Sequence, residues 1–429
     1  MSRIVLQNGR IIDPQSGIDM VGDVYIADGV IAAIEPECTA TADTVIDVAG
    51  LVVAPGLIDL QVHVREPGRE DRETIRTASQ AALRGGVTTM VAMPNTTPVA
   101  DSQAVIEFVR QRAAALGLVN ILPAGALTKK QAGHELAELW ELKQSGAVAV
   151  TDDGVDVQDA GLLRRIMEYA VTHDMLIMSH CETDELTAGG VMHEGWVSTQ
   201  LGLPGTPAAS EDLAVEKNVL LARLTGARLH LLHNSTRGAM EAIARSKAAG
   251  VQVTAEVSVQ HCALTDAACL GYNTNAKMYP PLRSEEHVAA VVAAIQDGTI
   301  DALTTDHAPH IEPDKLLPFS EAAMGSVGLE TFFAVAYTYL VLPGHITLTE
   351  LLALMTYRPA SIIRSDRGTL RVGAPADIAV LDIAAEWTVD PSEFASKGRN
   401  SVFAGHTLTG KAKHVLVGGE LKMQDETVL

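Results

Sequence analysis

The segment D-L-Q-V-H-V-R-E-P-G, from Asp59 to Gly68, sets an imidazole and a guanidinium two residues apart, at His63 and Arg65. On a strand this spacing turns both side chains to one face, where one can hold a metal ion and the other an anion. Two residues before His63, where a second imidazole would complete an H-x-H pair, stands Gln61. A neutral amide oxygen is a weaker ligand for a zinc-like ion than an imidazole nitrogen or a carboxylate. Further polar residues follow short apolar runs: Asn95 in M-P-N-T, Asp153 in T-D-D-G, His180 in S-H-C-E, His233 in H-L-L-H-N-S-T, and Asp306 and His310 in T-T-D-H-A-P-H. Singly, a histidine ending a strand is more often a hydrogen-bonded structural residue, and D-D-G is usually a turn. Together, His63, Asp153, His180, His233 and Asp306 supply enough donors for a two-metal site with a shared carboxylate, which would activate a water molecule.

These residues need a scaffold that brings strand ends together. From residue 55 to 365 short apolar strands alternate with amphipathic helices. The strand candidates are L-I-D-L-Q-V-H-V, T-T-M-V-A-M, N-I-L-P-A-G, A-V-A-V-T-D, L-I-M-S-H, R-L-H-L-L-H, V-T-A-E-V and D-A-L-T-T-D; the run from Asp101, with an N-cap and a 3.6-residue apolar stripe, exemplifies the helices. Eight such units predict an α/β fold, a (β/α)8 TIM-like barrel with its site at the C-terminal ends of the strands. Residues 1–54 and 366–429 instead carry short β-rich runs separated by turns at Asn8-Gly9, Asp28-Gly29 and Gly418-Gly419. They predict one small β-sandwich domain built from both termini.

Hydrophobic residues make up 47% of the 429 and charged residues 20%, a balance able to build a large core. A formal charge of −21 opposes binding to a phosphate backbone, which needs clustered Lys and Arg, so no nucleic-acid partner is expected. The N-terminal residues lack a signal-peptide pattern and no apolar run reaches membrane-span length, so a cytoplasmic protein is expected. Cys38, Cys181, Cys262 and Cys269 form no C-x-x-C pair and are expected to be reduced thiols. Cys181 beside His180 could ligate, but strand alternation points it away.

The segments A-P-G-L-I-D-L, H-V-R-E-P-G, G-G-V-T-T, M-P-N-T-T-P, T-D-D-G, L-G-L-P-G-T-P, P-P-L-R, T-D-H-A-P-H, G-L-E-T and F-A-S-K-G-R-N-S-V-F-A-G, in this order along nearly the whole chain, resemble the longer bacterial class of the dihydroorotase family, in the amidohydrolase superfamily. The resemblance implies reversible hydrolysis of dihydroorotate to N-carbamoyl-aspartate in pyrimidine biosynthesis, with one or two Zn2+ ions per chain. One metal would be held by His180, His233 and a bridging Asp153; the other by Asp153, His63, Asp306 and the position occupied here by Gln61. Arg65, Asn95, His310 and His63, with backbone near Met324 and Gly325, match substrate-binding positions. Asp306 would be general base and acid, taking a proton from the attacking metal-activated water and returning it to the leaving nitrogen. Two departures stand out: Gln61, which weakens the second metal position, and Tyr279, where the class commonly carries a substrate-binding Asn. They keep alive an alternative, a catalytically silent subunit acting as scaffold for aspartate carbamoyltransferase. A hydantoinase is disfavoured, because Arg65 would have no carboxylate to pair with. A homo-oligomer is also expected.

Overall fold

The computed structural model describes residues 3–429. Eight parallel strands form the barrel: β1 Leu57–Val62, β2 Val87–Ala92, β3 Asn120–Gly125, β4 Ala149–Val150, β5 Leu176–Ser179, β6 Arg228–Leu231, β7 Val253–Ser258 and β8 Ala302–Thr304. They pair in sequence order. The ring closes where Val62 bridges His307 in parallel and the His63 N–H donates to the His307 carbonyl at 2.9 Å. All six residues of β1 are buried, as both faces of a parallel barrel strand are covered. Asp59 on β1 accepts from the Thr304 and Thr305 hydroxyls at 2.6 and 2.5 Å, tying the first strand to the last just below the mouth. Burial raises the Asp59 carboxyl above its ordinary range.

Strands from both termini join in one nine-stranded sheet, in which Val52–Pro55 lies between Ile4–Asp13 and Ile378–Thr388. Its own core gathers Ile4, Leu6, Ile11, Val24, Ile26, Ile378 and Leu416, apart from the barrel's. Asp28 and Gly29, both at positive φ, make the hairpin expected there. Asn8-Gly9 is different: the chain runs straight through it, as a bulge inside Ile4–Asp13 with Asn8 at φ 65°. A Cβ on Gly9 would lie 2.7 Å from Val53 Cγ2, so the bulge takes glycine for close packing rather than for a turn. The helix after Asp101 is Gln103–Leu116; its N-cap is Ser102, without a side-chain cap bond, and the Asp101 carboxylate accepts from the Lys130 N–H.

Candidate active site and metal centre

The strand ends deliver their polar residues to one cavity of about 220 Å³, walled by His63, Arg65, Asn95, Asp153, His180, His233, Tyr279, Asp306, His310, Met324 and Gly325. Arg65, His233 and Asp306 all adopt positive φ, at 59°, 32° and 48°. Such conformations are costly for side chains of this size and gather at functional sites, where the surrounding fold enforces them.

His180 Nδ1, His233 Nε2 and an oxygen of Asp153 form the tightest cluster. His180 Nδ1 is 2.9 Å from His233 Nε2, His233 Nε2 is 3.3 Å from Asp153 Oδ1, and His180 Nδ1 is 3.7 Å from the same oxygen. Ligands of a tetrahedral ion with bonds of about 2.0–2.1 Å stand roughly 3.3–3.4 Å apart, so these separations bracket the spacing a zinc-like cation requires. The other Asp153 oxygen, Oδ2, is 3.3 Å from His63 Nε2, which is 3.3 Å from Asp306 Oδ1. Asp153 thus stands between two groups of donors.

Surrounding residues set the tautomers. Asn95 Oδ1 can only accept, so His63 donates from Nδ1 at 2.8 Å and keeps the Nε2 lone pair for the cluster. Glu182, buried and 3.2 Å from His180 Nε2, takes that N–H and frees Nδ1. Burial disfavours charge at Asp153, yet the hydrogen bond from His233, and the charge of His63, His233 and His180 whenever these imidazoles are protonated, outweigh it and hold the carboxyl well below its usual range. Sequence reasoning passed over Glu182, although it lies two residues from His180 in S-H-C-E.

Gln61 is fully buried and donates from Nε2 to Asp153 Oδ1 at 2.9 Å. Its Oε1 has no hydrogen-bond partner. An orphaned buried carbonyl costs about 1–3 kcal/mol, a cost that a cation within reach would relieve. The donor set and this orphan both fit a divalent metal. Cys181 stands apart: its Sγ packs 3.8 Å from the Ser179 carbonyl and from Asn218 Nδ2, and burial raises the thiol far above its ordinary value.

In the same cavity Arg65 donates from Nε to the Pro309 carbonyl at 3.3 Å; its terminal nitrogens make no hydrogen bond among the described residues. Burial, and then the charge of Arg72, lower its pKa to about 10, so it stays cationic at neutral pH. His310 donates from Nε2 to the Met324 carbonyl at 2.7 Å, while Nδ1 has no hydrogen-bond partner. Burial, then the positive charges of Arg65, Arg72 and Lys315, push its pKa down to about 2. It is a neutral imidazole with a free lone pair. Met324 and Gly325 line the cavity, but most of their backbone groups are already engaged. Gly325 N–H donates to the Lys277 carbonyl at 2.8 Å, and Gly325 O accepts from Lys315 Nζ and Asn400 Nδ2, both at 3.1 Å. The Met324 N–H has no partner among the described residues. Gly325 sits at φ 119°, and a Cβ there would be 2.6 Å from that of Ala308, so only glycine fits.

Asn400 went unassigned in the sequence, although it stands in the segment F-A-S-K-G-R-N-S-V-F-A-G that carries the family resemblance. It reaches back from the C-terminal segment to accept from the His310 N–H at 3.0 Å and to donate to the carbonyls of Ala308 and Gly325, fastening both substrate-side loops. Tyr279 lays its ring beside His180, centroids 4.9 Å apart, and forms part of the cavity wall. Among the described residues no helix is long and apolar enough to cross a membrane.

An eight-stranded barrel with a histidine–aspartate cluster at its C-terminal mouth and a β sheet from both termini defines a hydrolase of the amidohydrolase class. Comparison with known proteins agrees. L-hydantoinase (dihydropyrimidinase) from Arthrobacter aurescens superposes with a TM-score of 0.89 at 26% identity, covering 100% of this chain and 98% of that one. A dihydro-orotase-like family model matches residues 50–239. The dihydroorotase of Pelotomaculum thermopropionicum is 47% identical over 426 residues, 99% of this chain and 100% of that protein. That of Solibacter usitatus is 46% identical over 419 residues, 98% of this chain and 97% of that protein. The chain belongs to the dihydroorotase family.

Proposed function

We infer that this protein is a dihydroorotase, a cyclic amidohydrolase that interconverts dihydroorotate and N-carbamoyl-aspartate. The observation that carries the substrate is the unpaired edge of Arg65, a buried cation facing the donor cluster across one small cavity. A planar guanidinium binds a carboxylate in bidentate fashion, and dihydroorotate bears one beside its ring amide. Hydantoins lack that group, and the scaffold alternative gives no reason for such an edge to persist.

His180, His233 and Asp153 would hold one Zn2+, and Asp153, His63 and Asp306 a second. Bound there, zinc supplies Lewis acidity and lowers the pKa of water. Arg65 anchors the substrate carboxylate, the Asn95 amide nitrogen and the Met324 N–H offer donors, and the His310 ring, part of the cavity wall, packs beside the substrate. Asp306 Oδ2, with no hydrogen-bond partner among the described residues, takes the proton from the attacking water and returns it to the leaving ring nitrogen. Run in reverse, the same proton movements close N-carbamoyl-aspartate.

Arg65→Ala tests the substrate assignment. Hydrogen bonds to a charged group contribute about 1.5–3 kcal/mol, so kcat/KM for dihydroorotate should fall about 10- to 100-fold or more, while an uncharged cyclic imide is hydrolysed nearly as before. Equal loss on both substrates would make Arg65 structural and remove the carboxylate argument.

The resemblance places a ligand of the second metal at position 61, where Gln61 instead spends its amide nitrogen on Asp153 Oδ1 and adds no strong ligand beside His63 and Asp306, so we propose that the second metal is held loosely and limits turnover. Gln61→His should bring bound zinc closer to two per chain and raise kcat. The side chain already reaches Asp153, so a histidine that adds neither metal nor activity would show that the second position plays no part.

A further inference from the structure

At the end of the barrel opposite the active site lies a second cavity, of about 530 Å³, that the proposed reaction does not use. The N-terminal ends of β5, β6 and β7 form its apolar wall through Leu176, Leu229 and Val253, and the segment from Tyr357 to Arg364 closes the other side. Arg228, Arg358 and Arg364 all face into it.

These charges are poorly matched from within. Asp174 is shared, in contact with Arg364 and 3.7 Å from Arg228 Nη1, and Arg228 also donates from Nη2 to the Ile362 carbonyl at 2.8 Å, which leaves two guanidiniums on one carboxylate. Asp301, the carboxylate on the cavity wall, is taken by Lys247 at 2.5 Å and by the Ala255 N–H at 2.8 Å. Arg358 makes no ion pair or hydrogen bond among the described residues; Glu350, whose carboxyl feels its charge, is engaged by Thr347. Burial, and then the neighbouring charge of Arg364, disfavour the cationic form of Arg228. In a chain of net charge −21, three guanidiniums lining one hollow with a single carboxylate, Asp174, paired to two of them form a local cationic surface suited to an anion.

We propose that this cavity binds an organic phosphate whose phosphate meets Arg228, Arg358 and Arg364 and whose planar ring lies against Tyr357 and the apolar strand ends, the chemistry of a nucleotide. Its volume falls within the range of small-molecule sites, roughly 300–1,000 Å³. Guanidinium forks suit phosphate oxygens, and a lining that combines three arginines with Tyr357 and aliphatic side chains suits a phosphate ester better than a bare ion. The site also touches the barrel interior. Thr254, on its wall, is 2.8 Å from His230 Nδ1, and His230 Nε2 is 3.1 Å from Glu256, out of line for a hydrogen bond.

Calorimetric titration of the metal-loaded protein with AMP and with inorganic phosphate, in the presence of saturating dihydroorotate, tests this. AMP is expected to bind one per chain and at least tenfold more tightly than phosphate. Arg358→Glu should weaken AMP binding at least tenfold, and Arg228→Gln should weaken it in the same direction, while turnover without AMP stays at the parent level in Arg358→Glu. Absence of saturable AMP binding would overturn the proposal, as would equal affinity for AMP and phosphate, or binding unchanged in both variants.

Discussion

Asp306→Asn is expected to lower kcat for dihydroorotate about 10²–10⁴-fold, the usual contribution of a positioned general acid or base. The amide keeps the shape of the carboxylate and its place 3.3 Å from His63 Nε2, but it cannot accept and return a proton. The tighter cluster of Asp153, His180 and His233 does not include Asp306, so most of the bound metal should remain. The positive φ of Asp306 should be tolerated, since Asn adopts this region as readily as Asp. Thermal melting and metal analysis establish that the variant is folded and loaded. Turnover within a few-fold of the parent, in protein of parental metal content, would remove Asp306 from the mechanism.

Asp153→Ala and His180→Ala should each strip the protein of tightly bound metal. Removing a residue that merely orients a ligand typically costs 10–100-fold in metal affinity, so loss of a ligand should exceed about 100-fold. Asp153 should be the more severe, because its two oxygens face different groups: Oδ1 toward His180 and His233, and Oδ2 toward His63. Its removal also deprives the Gln61 amide of its acceptor. Metal per chain, measured on purified variants after dialysis, decides the matter. Parental metal content in both would sink the ligand set.

Much of this site could be read from the chain because its parts are local signals. Each barrel strand is a short apolar run, and the residue that matters stands at its end, so period and position together named His63, Asn95, Asp153, His180, His233, Asp306 and His310. The Asp28-Gly29 hairpin was equally legible, since its turn needs positive φ at both residues. Asn8-Gly9 is the same kind of turn-forming pair yet forms a bulge, because whether a chain turns or continues there depends on the neighbouring strand at Val52–Pro55, which arrives from elsewhere in the sequence.

What only the tertiary structure decided is which groups are already spoken for. Sequence shows that Arg65 is present; folding leaves its terminal nitrogens free and His310 neutral, through burial and neighbouring charge. Sequence shows Met324 and Gly325; folding commits the Gly325 amide to Lys277 and its carbonyl to Lys315 and Asn400. Asn400, 90 residues beyond His310, lies in a segment the resemblance marks, but its role as a fastener of the His310 loop is set only by folding. Hydrophobic periodicity specifies where an element lies and which face it buries. Hydrogen-bond pairing and electrostatic environment depend on atoms brought together from distant segments, and these are set only when the barrel closes.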